Sequence, residues 1–219
     1  MIENKKNFYP MRIIIADDHI VVRKGLKLML LEGFPGSEIL DVPDAEDLIK
    51  KVIKEDWDVV ITDLNMPGRS GLDALVQIKQ IKPNLPVLVM SLNPEDQYAI
   101  RVLKAGASGY VSKDAPPEEL IKAIQQVKLG KKYITPAIAE KLTSFFDDDQ
   151  PEKAPHENLS DREFDVVKML ATGKSVSEIS EHLFLSVTTV STYRSRILSK
   201  MGLKNNAEIT LYAIEHKLI

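Results

Sequence analysis

The stretch DVVITDLNMPG, residues 58–68, decides the fold because it joins a short apolar strand to a polar turn. Its β-branched run VVI is typical of a strand buried in a sheet, and we predict a strand over 58–62. Asp63 follows the run directly, and the Pro-Gly pair at 67–68 turns the chain. An acidic residue where a buried strand ends indicates a site at one edge of a sheet.

The same alternation of strand and helix extends in both directions. Short aliphatic runs predict strands at 12–16, 38–42, 58–62, 87–91 and 109–112. Amphipathic stretches predict helices at 19–33, 44–55, 71–82, 94–106 and 117–129. Such units favour right-handed crossovers, so we predict a doubly wound α/β domain with a five-stranded parallel sheet. The order of the strands does not follow from this pattern.

A second, all-α domain is predicted beyond a polar linker. We assign residues 1–132 to the α/β domain, 133–157 to a linker with a short helix near 136–146, and 158–219 to four short helices. The linker contains DDDQPEKAPHE, which cannot build a core. Two capping boxes, Ser160 with Glu163 and Ser175 with Glu178, open the first two helices, and the last two span about 187–201 and 206–216.

The composition excludes several classes of protein. The 219 residues are 44% hydrophobic and 28% charged, which is close to a globular average. No apolar run exceeds four residues, whereas a spanning helix needs about twenty, so we predict no membrane partner. Cysteine is absent, which excludes disulfides and thiolate metal sites and suits a cytoplasmic protein. The four histidines have no metal-ligand spacing.

The charge differs between the two parts. Residues 1–157 carry 21 basic and 25 acidic residues, net -4, whereas residues 158–219 carry 8 and 7, net +1. No acidic residue lies between Phe184 and Ala207, where four basic residues lie. This segment is typical of an element that faces a polyanion, although a solvated helix face gives the same pattern.

The strand ends of the α/β domain form an acidic crevice. Carboxyl ends of parallel strands converge where ligands bind, which brings Asp17 and Asp18 near Asp63. Clustered carboxylates stay ionised most easily around a hard divalent cation, and Mg²⁺ prefers such oxygen ligands. Ser91 and Lys113 end two further strands and supply a hydroxyl and a cation. These groups together predict a phosphoryl site in which Asp63 is the nucleophile and becomes an aspartyl phosphate.

The segments IIIADDH, VVITDLNMPGRSGLDAL, VLVMS and GASGYVSKDAPPEEL resemble the receiver domain of two-component response regulators, which has a flavodoxin-like fold. The resemblance implies that a sensor histidine kinase phosphorylates Asp63. It also implies that Asp18, Asp63 and the carbonyl of Asn65 bind Mg²⁺, with Asp17 assisting through water. Ser91 and Tyr110 correspond to the pair that rearranges when a receiver switches.

The third helix of the second domain has a polar face. We predict that Val187, Val190, Ile197 and Met201 face the domain core. Hydroxyl side chains on the other face let a helix approach base edges in a DNA groove, although such faces also occur on simply exposed helices. This hydroxyl face comprises Thr188, Ser191, Thr192, Ser195 and Ser199.

Residues 159–213 resemble the LuxR-type helix-turn-helix domain, so the whole chain is similar to NarL/FixJ-type response regulators. The resemblance implies binding to double-stranded promoter DNA as a homodimer. It assigns base contacts to Ser191, Thr192 and Ser195, and phosphate contacts to Arg194, Arg196 and Lys200. Many relatives have lysine and histidine where this chain has Ser191 and Tyr193, which leaves the bases that are read open.

Two other functions stay open. A Mg²⁺-dependent phosphatase also uses an aspartate nucleophile, but such enzymes have the pattern DxDx followed by threonine or valine, whereas Leu64, Asn65 and Met66 follow Asp63 here. We therefore expect no turnover of an external substrate. Alternatively, the first domain is a scaffold that dimerises without phosphorylation, against which the complete acidic set argues.

Overall fold

The computed structural model describes residues 10–92, 95–147 and 154–219, and the chain divides into two compact units, Met1–Thr143 and Ser144–Ile219. The first unit contains five strands that alternate with helices, as predicted. The strands are β1 (Arg12–Ala16), β2 (Glu38–Val42), β3 (Val59–Asp63), β4 (Val87–Ser91) and β5 (Gly109–Ser112). The helices are α1 (Ile20–Gly33), α2 (Ala45–Lys54), α3 (Gly71–Ile81), α4 (Glu95–Lys104) and α5 (Pro117–Lys128).

The five strands form one parallel sheet in the order β2-β1-β3-β4-β5. The order reverses at β1, so the crevice between the ends of β1 and β3 is the switch point of a flavodoxin-like sheet. Ala16 pairs with Thr62 there, which places the residues after them side by side. The predicted doubly wound fold is confirmed.

Helices cover the sheet, so its central strands are buried throughout. Every residue of β3 and β4 is buried, as expected for a parallel sheet with both faces covered. Leu30 of α1 and Ile124 of α5 pack in one core with apolar residues of all five strands. This core fixes the strand ends that carry the site.

Several predicted boundaries differ from the structure by one or two residues, among them those of the third strand and the fourth helix. The third strand begins one residue later than predicted and includes Asp63. Asp58 precedes it, donates its backbone N–H to the carbonyl of Arg12 and accepts the backbone N–H of Arg12 with its carboxylate, both at 2.8 Å. The fourth helix ends at Lys104, before the left-handed Gly106. Pro94, its predicted first residue, lies outside the described residues.

Residues at both ends of the predicted linker pack within the neighbouring units. Tyr133 lies in the first core, donates its backbone N–H to the carbonyl of Ser108 and donates its hydroxyl to Glu119. A helix α6 (Pro136–Asp147) follows, as predicted. Residues 148–153 of the linker lie outside the described residues. Nδ1 of His156 lies 2.8 Å from the hydroxyl of Tyr212 and therefore belongs to the second unit.

Four α-helices follow a short 3₁₀ turn in the described part of the second unit. They are α7 (Asp161–Ala171), α8 (Val176–Leu183), α9 (Val187–Met201) and α10 (Asn206–Glu215). Both predicted capping boxes are present, at Ser160 and at Ser175. α7 packs against both α9 and α10, and their apolar faces form the core of the domain.

Three of the four residues predicted to face this core from α9 are buried, namely Val190, Ile197 and Met201. The prediction for Val187 is wrong, because its side chain is 50% exposed. Val187 is the first residue of the helix, and helical side chains tilt toward the N-terminus. Its side chain therefore extends beyond the helices that cover the rest of this face.

Candidate functional site

The predicted acidic crevice is present at the ends of β1 and β3. Asp17, Asp18, His19 and Asp63 each offer a ligand atom, and these atoms lie within 4.8 Å of one another. Asp17 and Asp63 are buried, whereas Asp18 is partly exposed. The backbone N–H of Asn65 donates to Oδ1 of Asp63 at 3.2 Å, so the loop after β3 folds back over the carboxylate.

Lys113 joins the two buried carboxylates. Its Nζ donates to Oδ2 of Asp17 and to Oδ2 of Asp63, both at 2.6 Å. Burial raises the pKa of Asp63 above its ordinary value, and the bond from Lys113 opposes this only in part. Burial alone would lower the pKa of Lys113, but its bonds to both carboxylates raise it. The bonds outweigh the effect of burial for Lys113 but not for Asp63, because two carboxylates share one ammonium group.

The donor atoms fit a hard divalent cation. Oδ1 of Asp18 is buried and has no hydrogen-bond partner. Nδ1 of His19 lies 2.8 Å from this oxygen, but not in hydrogen-bonding geometry. A buried carboxylate oxygen without a partner is costly unless a cation satisfies it, and Mg²⁺ prefers such oxygen ligands.

The two predicted switch residues are fully buried. Ser91 ends β4, next to Met90, which pairs with Asp63 across the sheet. The backbone N–H of Lys113 donates to the carbonyl of Ser91 at 2.9 Å. Tyr110 lies on the neighbouring strand β5 and is among the largest side chains with no exposed surface. The sheet thus brings Ser91 to the strand end next to Asp63.

Arg23 also contacts the site and was missed by the sequence analysis. It lies in the first turns of α1, and NH1 of its guanidinium donates to the backbone carbonyl of Asp17 at 2.6 Å. The signal that could have found it is a lone arginine six residues after Asp17, on a helix face that otherwise turns apolar residues inward.

The hydroxyl face of α9 is exposed. Thr188, Ser191, Thr192 and Ser195 are all on the surface, as is Arg196. The hydroxyl of Thr192 donates to the carbonyl of Thr188 at 3.0 Å. Short exposed side chains along one helix face allow a close approach to a flat or grooved partner.

The other two predicted phosphate contacts have partners within the domain. Nε of Arg194 donates to Oδ1 of Asn206 at 2.6 Å, and Nζ of Lys200 donates to Oε2 of Glu163 at 2.6 Å. These bonds attach α9 to α10 and to α7. Neither partner was anticipated from the sequence.

Comparisons with known proteins match both domains. The model of the response regulator receiver domain matches residues 13–125, and that of bacterial regulatory proteins of the luxR family matches residues 157–213. The chain belongs to the response regulators that carry a luxR-type domain. The response regulator GacA of Pseudomonas aeruginosa is 36% identical over 209 residues, with 95% of this chain and 97% of that protein covered.

Other relatives are similar over more than nine tenths of the chain. The oxygen regulatory protein NreC of Staphylococcus carnosus is 37% identical, with 95% of this regulator and 99% of NreC covered. A structure of RcsB from Salmonella enterica serovar Typhimurium, bound to the promoter rprA with the phosphomimetic BeF3-, has a TM-score of 0.60 at 30% identity, covering 92% of this chain and 98% of that one. This response regulator is accordingly a DNA-binding transcription regulator controlled by phosphorylation.

Such a regulator works with a histidine kinase and with promoter DNA rather than as an enzyme in the usual sense. Among its described residues, no helix is long and apolar enough to cross a bilayer.

Proposed function

We propose that Asp63 is the residue that accepts the phosphoryl group in this cytoplasmic regulator. The observation that carries the proposal is the position of Lys113, whose ammonium bridges Asp63 and Asp17 at 2.6 Å each. A carboxylate oxygen of Asp63 attacks phosphorus while the bond from phosphorus to the histidine nitrogen of the kinase breaks. The imidazole leaves with the electron pair, and Lys113 stabilises the charge on the transferred oxygens.

Asp17, Asp18, Asp63 and the backbone carbonyl of Asn65 would hold Mg²⁺. The bound ion would neutralise negative charge on the transferring group. The carboxylates also repel other anions from the crevice until a cation balances the negative charge of the carboxylates themselves. Lys113 holds Asp17 and Asp63 together, and ligand atoms of Asp17, Asp18 and Asp63 lie within 4.8 Å of one another.

Phosphorylation then shifts a population between two packings. Ser91 supplies a hydroxyl to the phosphoryl group, and Tyr110 occupies the space beside it. Both side chains are buried in a close-packed sheet, so a local change displaces neighbours rather than being absorbed. The altered surface of the first domain promotes a homodimer that binds two half-sites on DNA.

Helix α9 reads promoter DNA through its exposed face. Thr188, Ser191, Thr192 and Ser195 approach base edges, and Arg196 contacts a phosphate. Arg194 and Lys200 are assigned smaller phosphate contributions, because each already donates to a partner within the domain.

A small phosphodonor tests this assignment directly. Wild type and Asp63→Asn are treated with phosphoramidate and Mg²⁺, and the same samples are measured for mass, self-association and retention of promoter DNA. We expect the wild type alone to gain one phosphoryl group, dimerise and bind more tightly. A wild type that is not labelled would favour a phosphorylation-independent scaffold, and steady turnover of a phosphomonoester would favour a phosphatase.

A further inference from the structure

Arg23 is a buried cation in the first turns of α1. Its exposed fraction is 9%, and NH1 donates to the backbone carbonyl of Asp17 at 2.6 Å. Nε has no hydrogen bond, and the nearest acidic oxygen, Oδ2 of Asp41, lies 3.5 Å from it. The guanidinium therefore gives its short bond to Asp17 rather than to its counter-ion.

Asp41 of β2 supplies the opposite charge. Nζ of Lys27 and of Lys24 lie 3.2 Å and 3.9 Å from its carboxylate. Burial alone would raise the pKa of Asp41, but Lys27, Lys24 and Arg23 hold it below its ordinary value. The ionised Asp41 thus anchors the guanidinium, which connects β2 to the end of β1.

Asp17 accepts hydrogen bonds at three of its atoms, and its backbone N–H donates to the carbonyl of Val42 at 3.3 Å. Its backbone carbonyl accepts from Arg23, Oδ1 accepts from the backbone N–H of His19 at 2.7 Å, and Oδ2 accepts from Lys113 at 2.6 Å. Of these three contacts, the one from Arg23 fixes the backbone of the segment that also carries Asp18.

Stability alone does not account for this arrangement. A buried cation carries a desolvation penalty, and an apolar residue of similar volume is often equally or more stabilising in such a place. Arg23 also leaves one buried donor unpaired, which adds to the penalty. The contact that it does make is to the backbone of a residue in the acidic crevice.

We propose that Arg23 is a positioning residue of the phosphoryl site, which fixes the carbonyl of Asp17 and so orients Asp17 and Asp18 toward a divalent cation. The inference rests on the proposed function of the crevice. A guanidinium suits this task because its rigid fork directs one donor to the carbonyl while facing Asp41 with another. An ammonium on a flexible chain reaches a single position less firmly.

The test compares Arg23→Met with Lys27→Met in the full chain. Lys27 contacts the same carboxylate of Asp41, so the control removes a cation from Asp41 without removing the bond to Asp17. Isothermal titration gives the Kd for Mg²⁺, and phosphoramidate labelling gives the rate. Fluorescence of Trp57, the single tryptophan, shows that each variant is folded at the temperature used.

For Arg23→Met we expect a Kd for Mg²⁺ at least about tenfold weaker and labelling slowed to a similar extent, as for other residues that orient metal ligands. For Lys27→Met we expect a Kd for Mg²⁺ and a labelling rate close to those of wild type. Arg23→Lys recovers part of the loss, and Asp41→Asn shifts both quantities in the same direction as Arg23→Met, because it releases the anchor of the guanidinium.

A folded Arg23→Met that binds Mg²⁺ and is labelled like wild type overturns the inference, as does an equal loss in Lys27→Met. If Arg23→Met does not fold, Arg23→Lys and Asp41→Asn test the inference in its place. A Kd for Mg²⁺ and a labelling rate equal to those of wild type in both variants overturn the inference. A wild type that neither binds Mg²⁺ nor is labelled instead refutes the proposed function, and the inference with it.

Discussion

Lys200 donates a hydrogen bond from Nζ to the buried carboxylate of Glu163 at 2.6 Å. The same oxygen of Glu163 accepts from the backbone N–H and the hydroxyl of Ser160, so α9 is tied to the N-terminal cap of α7. Burial alone would raise the pKa of Glu163, but the bonds from Lys200 and Ser160 hold it below its usual value. The lowered pKa means that the ionised carboxylate stabilises the fold.

Lys200→Met should loosen α9. Since the lysine is 42% exposed, we expect the free energy of unfolding to fall by about 1 to 2 kcal/mol, which is toward the low end for hydrogen bonds to charged groups. Hydrogen exchange of residues 187–201 in the full chain measures it, with the exposed Lys204→Met as the matched control. The stabilisation is present above the unfolded pKa of about 4.3 and is lost as pH falls through the lower folded pKa. Equal exchange in the two variants would contradict this role.

Lys113→Met should destabilise the first unit in the absence of metal. Asp17 and Asp63 would remain buried without their shared counter-ion, and removing one partner of a buried ion pair costs about 3 kcal/mol. Urea unfolding followed by Trp57 fluorescence measures the loss, and Mg²⁺ should restore part of it. Lys50→Met, at an exposed surface pair, serves as the control. A variant as stable as wild type without Mg²⁺ would refute the cost assigned to the bare carboxylates.

Local patterns predicted the elements well, whereas the contacts between them could not be read from the sequence. The capping box at Ser160 lies where predicted because it depends on residues three apart. The strand order and the bond of Lys200 to Glu163 depend on residues far apart in the chain, which no local period encodes. The bond of Arg23 joins residues only six apart, but it depends on how α1 packs against the end of β1. The proximity of Asp17 and Asp63 could be predicted because the ends of parallel strands converge. The bonds of Lys113 to both carboxylates could not be predicted, because they depend on the packing of the folded sheet.

Gly71→Ala should disturb the crevice, whereas Gly25→Ala should not. A Cβ added at Gly71, the first residue of α3, would lie 1.8 Å from the backbone oxygen of Asp63. Either α3 or the end of β3 must move. We therefore expect the free energy of unfolding to fall by about 2 kcal/mol and Mg²⁺ to bind more weakly. A Cβ at Gly25 meets nothing within 4 Å, so alanine there should stabilise α1 by about 0.5 to 1 kcal/mol. Trp57 fluorescence in urea compares the two, and similar changes in both would show that the contact at Gly71 is absorbed elsewhere.

Arg196→Gln should weaken DNA binding without changing which sequence is preferred. The exposed guanidinium on α9 is assigned to a phosphate, and one lost phosphate contact reduces the slope of log K against log salt by about 0.9 per protomer. Fluorescence anisotropy over a range of salt concentrations measures the slope for a promoter and for a scrambled duplex. Lys131→Gln makes the same charge change on an exposed residue of the first unit. An unchanged slope for Arg196→Gln would remove it from the set of phosphate contacts.

Phe184→Asn should stabilise the second unit. Phe184 caps α8 in the left-handed region, with φ 54°, and its side chain is 70% exposed. This conformation costs a residue such as phenylalanine roughly 1 to 2 kcal/mol, and asparagine tolerates it better. Because most of the ring contacts solvent, little burial is lost, so we expect slower hydrogen exchange in α8 and α9 of the full chain. Phe184→Ala removes the ring but keeps the strain, so exchange faster than wild type in both variants would show that ring contacts outweigh the backbone strain.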